Sequence, residues 1–463
     1  MSLTNLSAAA DYIANSFGAL GAPGLAAGIV HGDELVWSSG FGVTDLATQR
    51  KPDDGTVARV ASITKTFTAT AIMQLRDDGR LGLDDELSTH IPEFADVRET
   101  GGRAQDVTLR RLLTHYSGLS AETSLLSWGA EEFPGRDAVI AALPSTEVVI
   151  PADSQWKYSN LAFGLLGEVV ERLSGVPYVE YMRANVLGPL GFEATAFERS
   201  DLPADQLYTG YDAVVSSDPS RARLKQADYR HLNAVTSAGQ LHSSVADLAR
   251  WISFQFQEDA GERQGSQVLN GRSLSEMHRP QYAAADWASG QCLAWAVERA
   301  GDRVYHGHGG GIHGFGSQIT YNLPSRTGVV LLANAWPVAG VYSLGREVME
   351  VLLTGSASAA TPVPEADLPA VEPAPDGLAP LLGYYIAEPG VPANVEFRGG
   401  DLWITSPPGE SFPIHTPARM VAVDEPGSYL LQGGRGAGER AAFAPNGDSF
   451  TLGGWLYRRV AGN

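Results

Sequence analysis

The stretch Ser62-Ile63-Thr64-Lys65-Thr66-Phe67-Thr68-Ala69-Thr70-Ala71-Ile72-Met73-Gln74-Leu75 decides how the rest of the chain is read. Apolar Ile63, Phe67, Ile72 and Leu75 recur at near-helical spacing, and Gly79 stands where a C-terminal cap belongs, so 62–77 is predicted as a helix. Ser62 and Lys65 lie three residues apart at its start and share one helical face. The serine also sits at the positive end of the helix dipole, which favours a developing alkoxide. A serine hydroxyl is a weak nucleophile until a neighbour takes its proton, and a desolvated lysine at this spacing can help do that. Read without context, Ser62 is only an N-cap and Lys65 a solvated side chain.

Upstream, residues 6–20 read as a helix, and the apolar runs 24–30 and 34–40 flank His31-Gly32-Asp33 as a hairpin. Downstream, 80–240 reads as mostly helical with long loops. The clearest helix is 161–173, ending at Ser174-Gly175, and another covers 243–254 with Ser244 as N-cap. From 290 to 335 the pattern turns to strands, with 318–323 and 328–334 around the turn Pro324-Ser325-Arg326-Thr327. Strands at both ends with helices between predict an α+β class: an antiparallel sheet flanked by helices, with an all-helical insert. Residues 355–378 are a Pro/Ala-rich linker. Beyond it, runs at 393–397, 402–405, 428–432, 450–452 and 455–460 alternate with turns such as Arg398-Gly399-Gly400-Asp401 and Asn446-Gly447-Asp448, which predicts a small all-β barrel. The expected organisation is therefore 1–354, linker 355–378, barrel 379–463.

The 463 residues carry 33 Lys plus Arg against 53 Asp plus Glu, a net charge of −20. Such a surface repels phosphate backbones and anionic membranes, so nucleic acid is not an expected partner. The apolar fraction of 44% is enough for a large core. Cys292 is the sole cysteine, which excludes an internal disulfide and any multi-cysteine metal site. No run approaches the roughly 18 apolar residues of a membrane span. The start Met1-Ser2-Leu3-Thr4-Asn5 has no cationic region or apolar core, so the chain reads as cytoplasmic as it stands, or as exported if a leader was removed.

A second motif, Tyr158-Ser159-Asn160, precedes the 161–173 helix. A tyrosine beside ammonium groups can have a lowered pKa and act as a base, and Asn160 can hold Lys65 and a substrate carbonyl together. The bland reading is a core tyrosine followed by an Asn N-cap. The third motif is His306-Gly307-His308-Gly309-Gly310-Gly311-Ile312-His313-Gly314-Phe315-Gly316. Consecutive glycines in a strand are expected where another backbone approaches closely. An edge strand of glycines also offers N–H and C=O groups to an extended substrate and an N–H to an oxyanion. Phosphate cradling lacks a following Lys-Ser/Thr, and a zinc site on His306, His308 and His313 lacks a carboxylate or cysteine within the motif.

Ser-x-x-Lys, Tyr-Ser-Asn and His-Gly-Gly in this order resemble the serine β-lactamase and penicillin-binding-protein superfamily, in its branch of class C β-lactamases, D-alanyl-D-alanine carboxypeptidases, D-aminopeptidases and esterases. Leu112-Leu113-Thr114-His115-Tyr116-Ser117-Gly118-Leu119, Gly188-Pro189-Leu190-Gly191-Phe192 and Ala238-Gly239-Gln240-Leu241-His242-Ser243 extend the resemblance over about residues 10–350. It implies that Ser62 is the acylated nucleophile, that Lys65 and Tyr158 share the proton relay, and that Asn160 orients Lys65 and the substrate amide. It places the backbone N–H groups of Ser62 and Gly311 in the oxyanion hole and Gly309-Gly310 on the substrate-binding strand. His308 stands where many relatives have lysine; an imidazole can donate to Tyr158 or substrate but is no permanent cation.

The implied reaction is two-step acyl transfer without metal or cofactor, on a small peptide, amide or ester substrate, foremost short peptides with D-residues. A carboxylesterase or β-lactamase on the same site is the neighbouring alternative, and a catalytically silent scaffold of the same fold is the other. The linker and lipocalin-like barrel resemble the arrangement in D-amino-acid-specific peptidases of the superfamily, where such a domain walls the cleft. Homo-oligomerisation is left open.

Overall fold

The computed structural model describes residues 3–130, 132–214, 223–257, 268–338, 340–357, 368–387, 390–406 and 416–460. The opening helix α1 (Leu3–Ser16) leads into the hairpin β1 (Gly24–His31) and β2 (Glu34–Gly42), turning at Gly32. Five later strands join the same sheet: β3 (Tyr282–Ala283), β4 (Ser289–Gln291), β5 (Ala296–Ala300), β6 (Arg303–Ile312) and β7 (Phe315–Asn322). A sixth, β8 (Thr327–Ala333), pairs antiparallel with β1, Leu25 opposite Ala333 and His31 opposite Thr327. The sheet order is β2-β1-β8-β7-β6-β5-β4-β3, so the early strand β1 and the late strand β8 lie side by side, one strand in from the β2 edge.

Side chains of a strand alternate between faces, and here both faces are covered. Leu25, Ala27 and Ile29 of β1 join Val329, Leu331 and Ala333 of β8 in the cluster that includes Ile13 of α1 and Val348. Val348 belongs to the helix Val341–Thr354, labelled α5 below. Ala26, Val30, Val330 and Leu332 pack on the opposite side, into the core of the helical insert.

The insert contains α2 (Thr64–Asp77), α3 (Asn160–Ser174) and α4 (Val245–Gln255); α5 closes the region. The predicted caps are present: Gly79 has φ +70°, Gly175 φ +78°, and Ser244 accepts from the Asp247 N–H. The predicted helix α2 forms, and it is buried on all sides over its first part: Thr64 through Met73 are all buried. Its threonines make that tolerable: Thr64, Thr66, Thr68 and Thr70 hydroxyls donate back to carbonyls of Ala61, Ile63, Thr64 and Thr66. A buried hydroxyl so bonded carries little desolvation cost.

The C-terminal unit is a closed barrel of eight strands: β9 (Gly383–Ala387), β10 (Val391–Arg398), β11 (Asp401–Thr405), β12 (Ala418–Ala422), β13 (Ser428–Gln432), β14 (Arg440–Phe443), β15 (Ser449–Leu452) and β16 (Trp455–Arg459). Rings fill its interior, with Phe450 against Tyr385, Phe443 and Tyr457 at 4.6–5.0 Å between centroids. The sequence reading missed β9, β12 and β14, whose Gly, Ala and Arg content hides the alternation. Residues 358–367 of the expected linker lie outside the described residues. Its later part is not a free spacer: the Glu372 N–H donates to Phe397 O, and Arg398 donates to Pro369 O, so it runs along β10. Among the described residues no helix is long and apolar enough to cross a membrane.

Candidate active site

Ser62 lies in a 3-10 turn, Ala61–Ile63, just ahead of α2. Ala61 takes φ +47°, a strained conformation for a residue with a Cβ. The turn is held from several sides. Thr64 Oγ1 donates to Ala61 O at 2.6 Å, Val60 N–H to Leu241 O at 2.9 Å, and Ser317 Oγ to Val60 O at 2.9 Å.

Folding brings Ser62, Lys65 and Tyr158 together. Lys65 Nζ is 3.0 Å from Ser62 Oγ, and the Tyr158 hydroxyl donates to the same Oγ at 2.7 Å. Lys65 is fully buried and also reaches Asn160 Oδ1 at 2.8 Å and Ala238 O at 2.7 Å. Burial drives its proton affinity well below the usual lysine range; Glu122 opposes this and Arg435 adds to it. A neutral amine would give its two N–H groups to Asn160 and Ala238 and turn its lone pair to Ser62.

The tyrosine expectation is corrected here, and the bland reading of Asn160 falls away. Tyr158 is not an acidified phenol: burial pushes its pKa up to about 12, against the opposing pull of Arg435. Asn160 is not the N-cap of α3. Ser159 is, its Oγ accepting from the Ala162 N–H at 2.9 Å, which leaves Asn160 to serve Lys65. The Asn160 amide N–H₂ is directed to Glu122 Oε1 at 2.6 Å. One of its donors is thus already occupied by a carboxylate rather than awaiting a substrate carbonyl.

The glycines of β6 have separate steric reasons. A Cβ on Gly310 would lie 2.1 Å from Val60 O, on Gly309 2.6 Å from the Tyr342 ring, and on Gly311 2.4 Å from Trp336 Nε1. The close backbone expected from the glycine run is therefore the nucleophile turn itself. β5 pairs with β6 only from Arg303 to Gly307, so His308 to Ile312 have one open edge, as an edge strand requires.

His308 donates through Nδ1 to Gly309 O at 2.7 Å, and burial with nearby Lys65 lowers its pKa to about 4. A neutral ring then presents Nε2 as an acceptor only, so it cannot make the donation to Tyr158 that the sequence reading allowed. The other histidines do not converge with it: His306 Nε2 meets His278 O and His313 Nδ1 meets Asp212. Among the described residues no group of three His, Cys, Asp or Glu side chains is placed to hold a metal.

Three groups escaped the sequence reading. Glu122 is buried, accepts from Asn160 and from Trp128 Nε1 at 3.2 Å, and leaves Oε2 without a partner. Burial raises its pKa to about 7. Arg435, from the barrel, places Cζ 4.2 Å over the Tyr158 ring. Trp455, also from the barrel, stacks on Trp128 at 5.2 Å between centroids. With Ser62, Tyr158 and Asn160 these residues line one cavity of about 330 Å³. None carries a motif; each sits in a loop or barrel strand and reaches the site only through tertiary packing.

Residues 9–352 match the family model described as Beta-lactamase. The chain belongs to the beta-lactamase family. Its Ser62, Lys65, Tyr158, Asn160 cluster lies within that beta-lactamase region. The relative named Protein flp from Staphylococcus aureus strain MW2 is 26% identical over 313 residues, 67% of this chain and 59% of that protein. The chain thus spans about three fifths of the length of such relatives. Among solved structures, the octameric penicillin-binding protein homologue from Pyrococcus abyssi superposes with TM-score 0.64 at 21% identity, over 98% of this chain and 99% of that one. A D-stereospecific amidohydrolase from Streptomyces sp. superposes with TM-score 0.61 at 24% identity, over 76% and 99%. The fold is therefore that of the serine β-lactamase and penicillin-binding-protein superfamily, with a barrel added.

Proposed function

We propose that this protein is a serine hydrolase that forms an acyl ester on Ser62 and acts on short peptides or amides carrying D-residues. The observation that carries the reading is the sharing of Ser62 Oγ between the Lys65 amine at 3.0 Å and the Tyr158 phenol at 2.7 Å inside one cavity. In the proposed first step the neutral Lys65 amine takes the Ser62 proton and Oγ bonds to the substrate carbonyl carbon. The resulting oxyanion is held by the N–H groups of Ser62 and Gly311. Collapse breaks the carbonyl–nitrogen bond. The leaving nitrogen takes the Tyr158 proton, and the Lys65 ammonium restores the phenol. Water then enters, gives a proton back through the same groups and releases the acid. A phenol kept protonated by burial suits this donor role better than that of a base.

The preference for D-peptides draws on likeness to the D-stereospecific amidohydrolase and on the barrel that walls the cleft. Esters and β-lactams would pass through the same acyl-serine, so the ratio of amide to ester turnover separates these readings. Intact mass spectrometry after a fluorophosphonate is the direct test. The full chain should gain one adduct, mapped to Ser62 and absent in Ser62→Ala; an unlabelled chain would refute the mechanism and favour a silent scaffold.

A further inference from the structure

Tyr158 and Asn160 reach Ser62 and Lys65 from a short segment, 157–161, that lies along a second one, 115–122. The Lys157 N–H donates to His115 O at 2.7 Å, and the Ser159 N–H donates to His115 Nδ1 at 3.2 Å. Ser159 Oγ donates to Ser120 O at 2.7 Å. Ala121 O accepts from the Asn160 N–H at 2.8 Å and from the Leu161 N–H at 3.1 Å. Glu122, the next residue, takes the Asn160 amide at 2.6 Å. Together the two segments form the platform from which the phenol and the amide are aimed.

One side chain of the barrel reaches both segments. Glu439 ends the β13–β14 connection and is buried. Its Oε1 accepts from the Ala121 N–H at 2.8 Å and from Lys157 Nζ. Lys157 is fully buried and also donates to Arg435 O, in the same connection, at 3.2 Å. The residue before Tyr158 and the residue before Glu122 are therefore held on a single carboxylate oxygen. The connection is pressed home: Gly438 takes φ +76°, and a Cβ there would lie 2.5 Å from Val149 O. Charge-assisted bonds of this kind fix direction as well as distance. Proton transfer between Tyr158 and Ser62 depends on the 2.7 Å contact, and a misplacement of about 1 Å can cost on the order of 100-fold in rate.

We propose that Glu439 is a positioning residue of the acyl-transfer site: carried in by the barrel, it ties segments 115–122 and 157–161 together so that the Tyr158 phenol meets Ser62 Oγ and the Asn160 amide meets Lys65. The proposal rests on the acyl-serine reading above and extends it, because the barrel then helps assemble the relay as well as walling the cavity. Glu439 has no chemical step of its own and acts through Tyr158 and Asn160.

Stopped-flow acylation of the full chain by an uncharged activated ester tests this, in variants that leave no charge buried alone. The first pair is Lys157→Met with Glu439→Leu. The second is Lys157→Met with Glu439→Gln, whose amide oxygen can still accept from the Ala121 N–H. In the first pair the acylation rate constant should fall by roughly 10- to 100-fold while ester binding changes by less than about threefold. The second pair should lose clearly less. Adding Tyr158→Phe should slow the first pair several-fold less than it slows wild type, because the phenol is already out of place. A purely structural contact would move neither the split between rate and binding nor this non-additivity. A folded first pair that acylates like wild type, or losses that simply multiply with Tyr158→Phe, would overturn the assignment. If the first pair does not fold, the second decides: its loss must shrink in the Tyr158→Phe background, and an unchanged loss rejects the proposal. Fluorophosphonate labelling keeps the two readings apart. A wild-type chain that labels at Ser62 as fast as the folded first pair rejects only the positioning role, whereas one that never labels rejects the acyl-serine reading itself.

Discussion

Lys65 has to be neutral to take a proton from Ser62, and the charges around it set the pH at which that holds. Burial lowers its proton affinity most; the Glu122 carboxylate works in the opposite direction and Arg435 in the same one. Glu122→Gln removes the charge that stabilises the ammonium, so Lys65 loses its proton at lower pH. The acid limb of the Ser62 acylation rate should therefore move to lower pH in Glu122→Gln, and to higher pH in Arg435→Met. Stopped-flow acylation by an uncharged activated ester across pH reads both shifts; limbs that stay in place in both variants would mean that Lys65 is not the base. Tyr158→Phe removes the donor to Ser62 and should slow turnover by roughly 10²–10⁴-fold, seen in steady-state kinetics. Ser62, Lys65, Tyr158 and Asn160 were legible in the sequence because each sits at the start of a well-marked helix, where spacing fixes geometry. Glu122 and Arg435 were not legible, because nothing local distinguishes them from a solvated loop glutamate and arginine. The Tyr158 pKa was misread for a related reason: a sequence shows neighbouring charges but not the burial that outweighs them.

At the scale of elements, the site depends on β6 coming within backbone contact of the nucleophile turn. Gly310 is the position where this matters most, since a Cβ there would lie 2.1 Å from Val60 O and 2.4 Å from Ser317 Oγ. Gly310→Ala must push the turn and the strand apart. We expect a loss of roughly 1–3 kcal/mol in denaturant unfolding and slower fluorophosphonate labelling of Ser62. Gly18→Ala, at a glycine with open space around it, is the matched control and should stay within about 0.5 kcal/mol. Equal stability and equal labelling in the two variants would contradict the close approach. The glycine run foretold this contact because three glycines in a strand have few other uses. The polar helix α2 was less legible: its threonines look like surface residues until their hydroxyls are seen bonded to the preceding turn. The three barrel strands that escaped the reading are short and carry Gly, Ala or Arg where strands usually carry β-branched residues.

On the scale of the whole molecule, the barrel was foreseeable from its turns and linker, but its docking was not, since the contacts join residues about 300 positions apart. The junction is built on Lys157 and Glu439, an ion pair with the lysine fully buried, backed by Trp128 stacked on Trp455. Breaking one side of such a pair leaves a charge buried without its partner, which typically costs about 3–5 kcal/mol, whereas removing both sides with apolar residues costs far less. Glu439→Gln should therefore lower the unfolding midpoint strongly in urea, and Lys157→Met with Glu439→Leu should recover most of the loss. The double variant also removes the donor to the Arg435 carbonyl, so the loop that carries Arg435 loses its tether even where stability returns. If Glu439→Gln unfolds like wild type, the buried pair does not hold the two units together, and the barrel must be kept in place by its other contacts, among them Trp128 on Trp455 and the Trp128 N–H donating to Gly454 O.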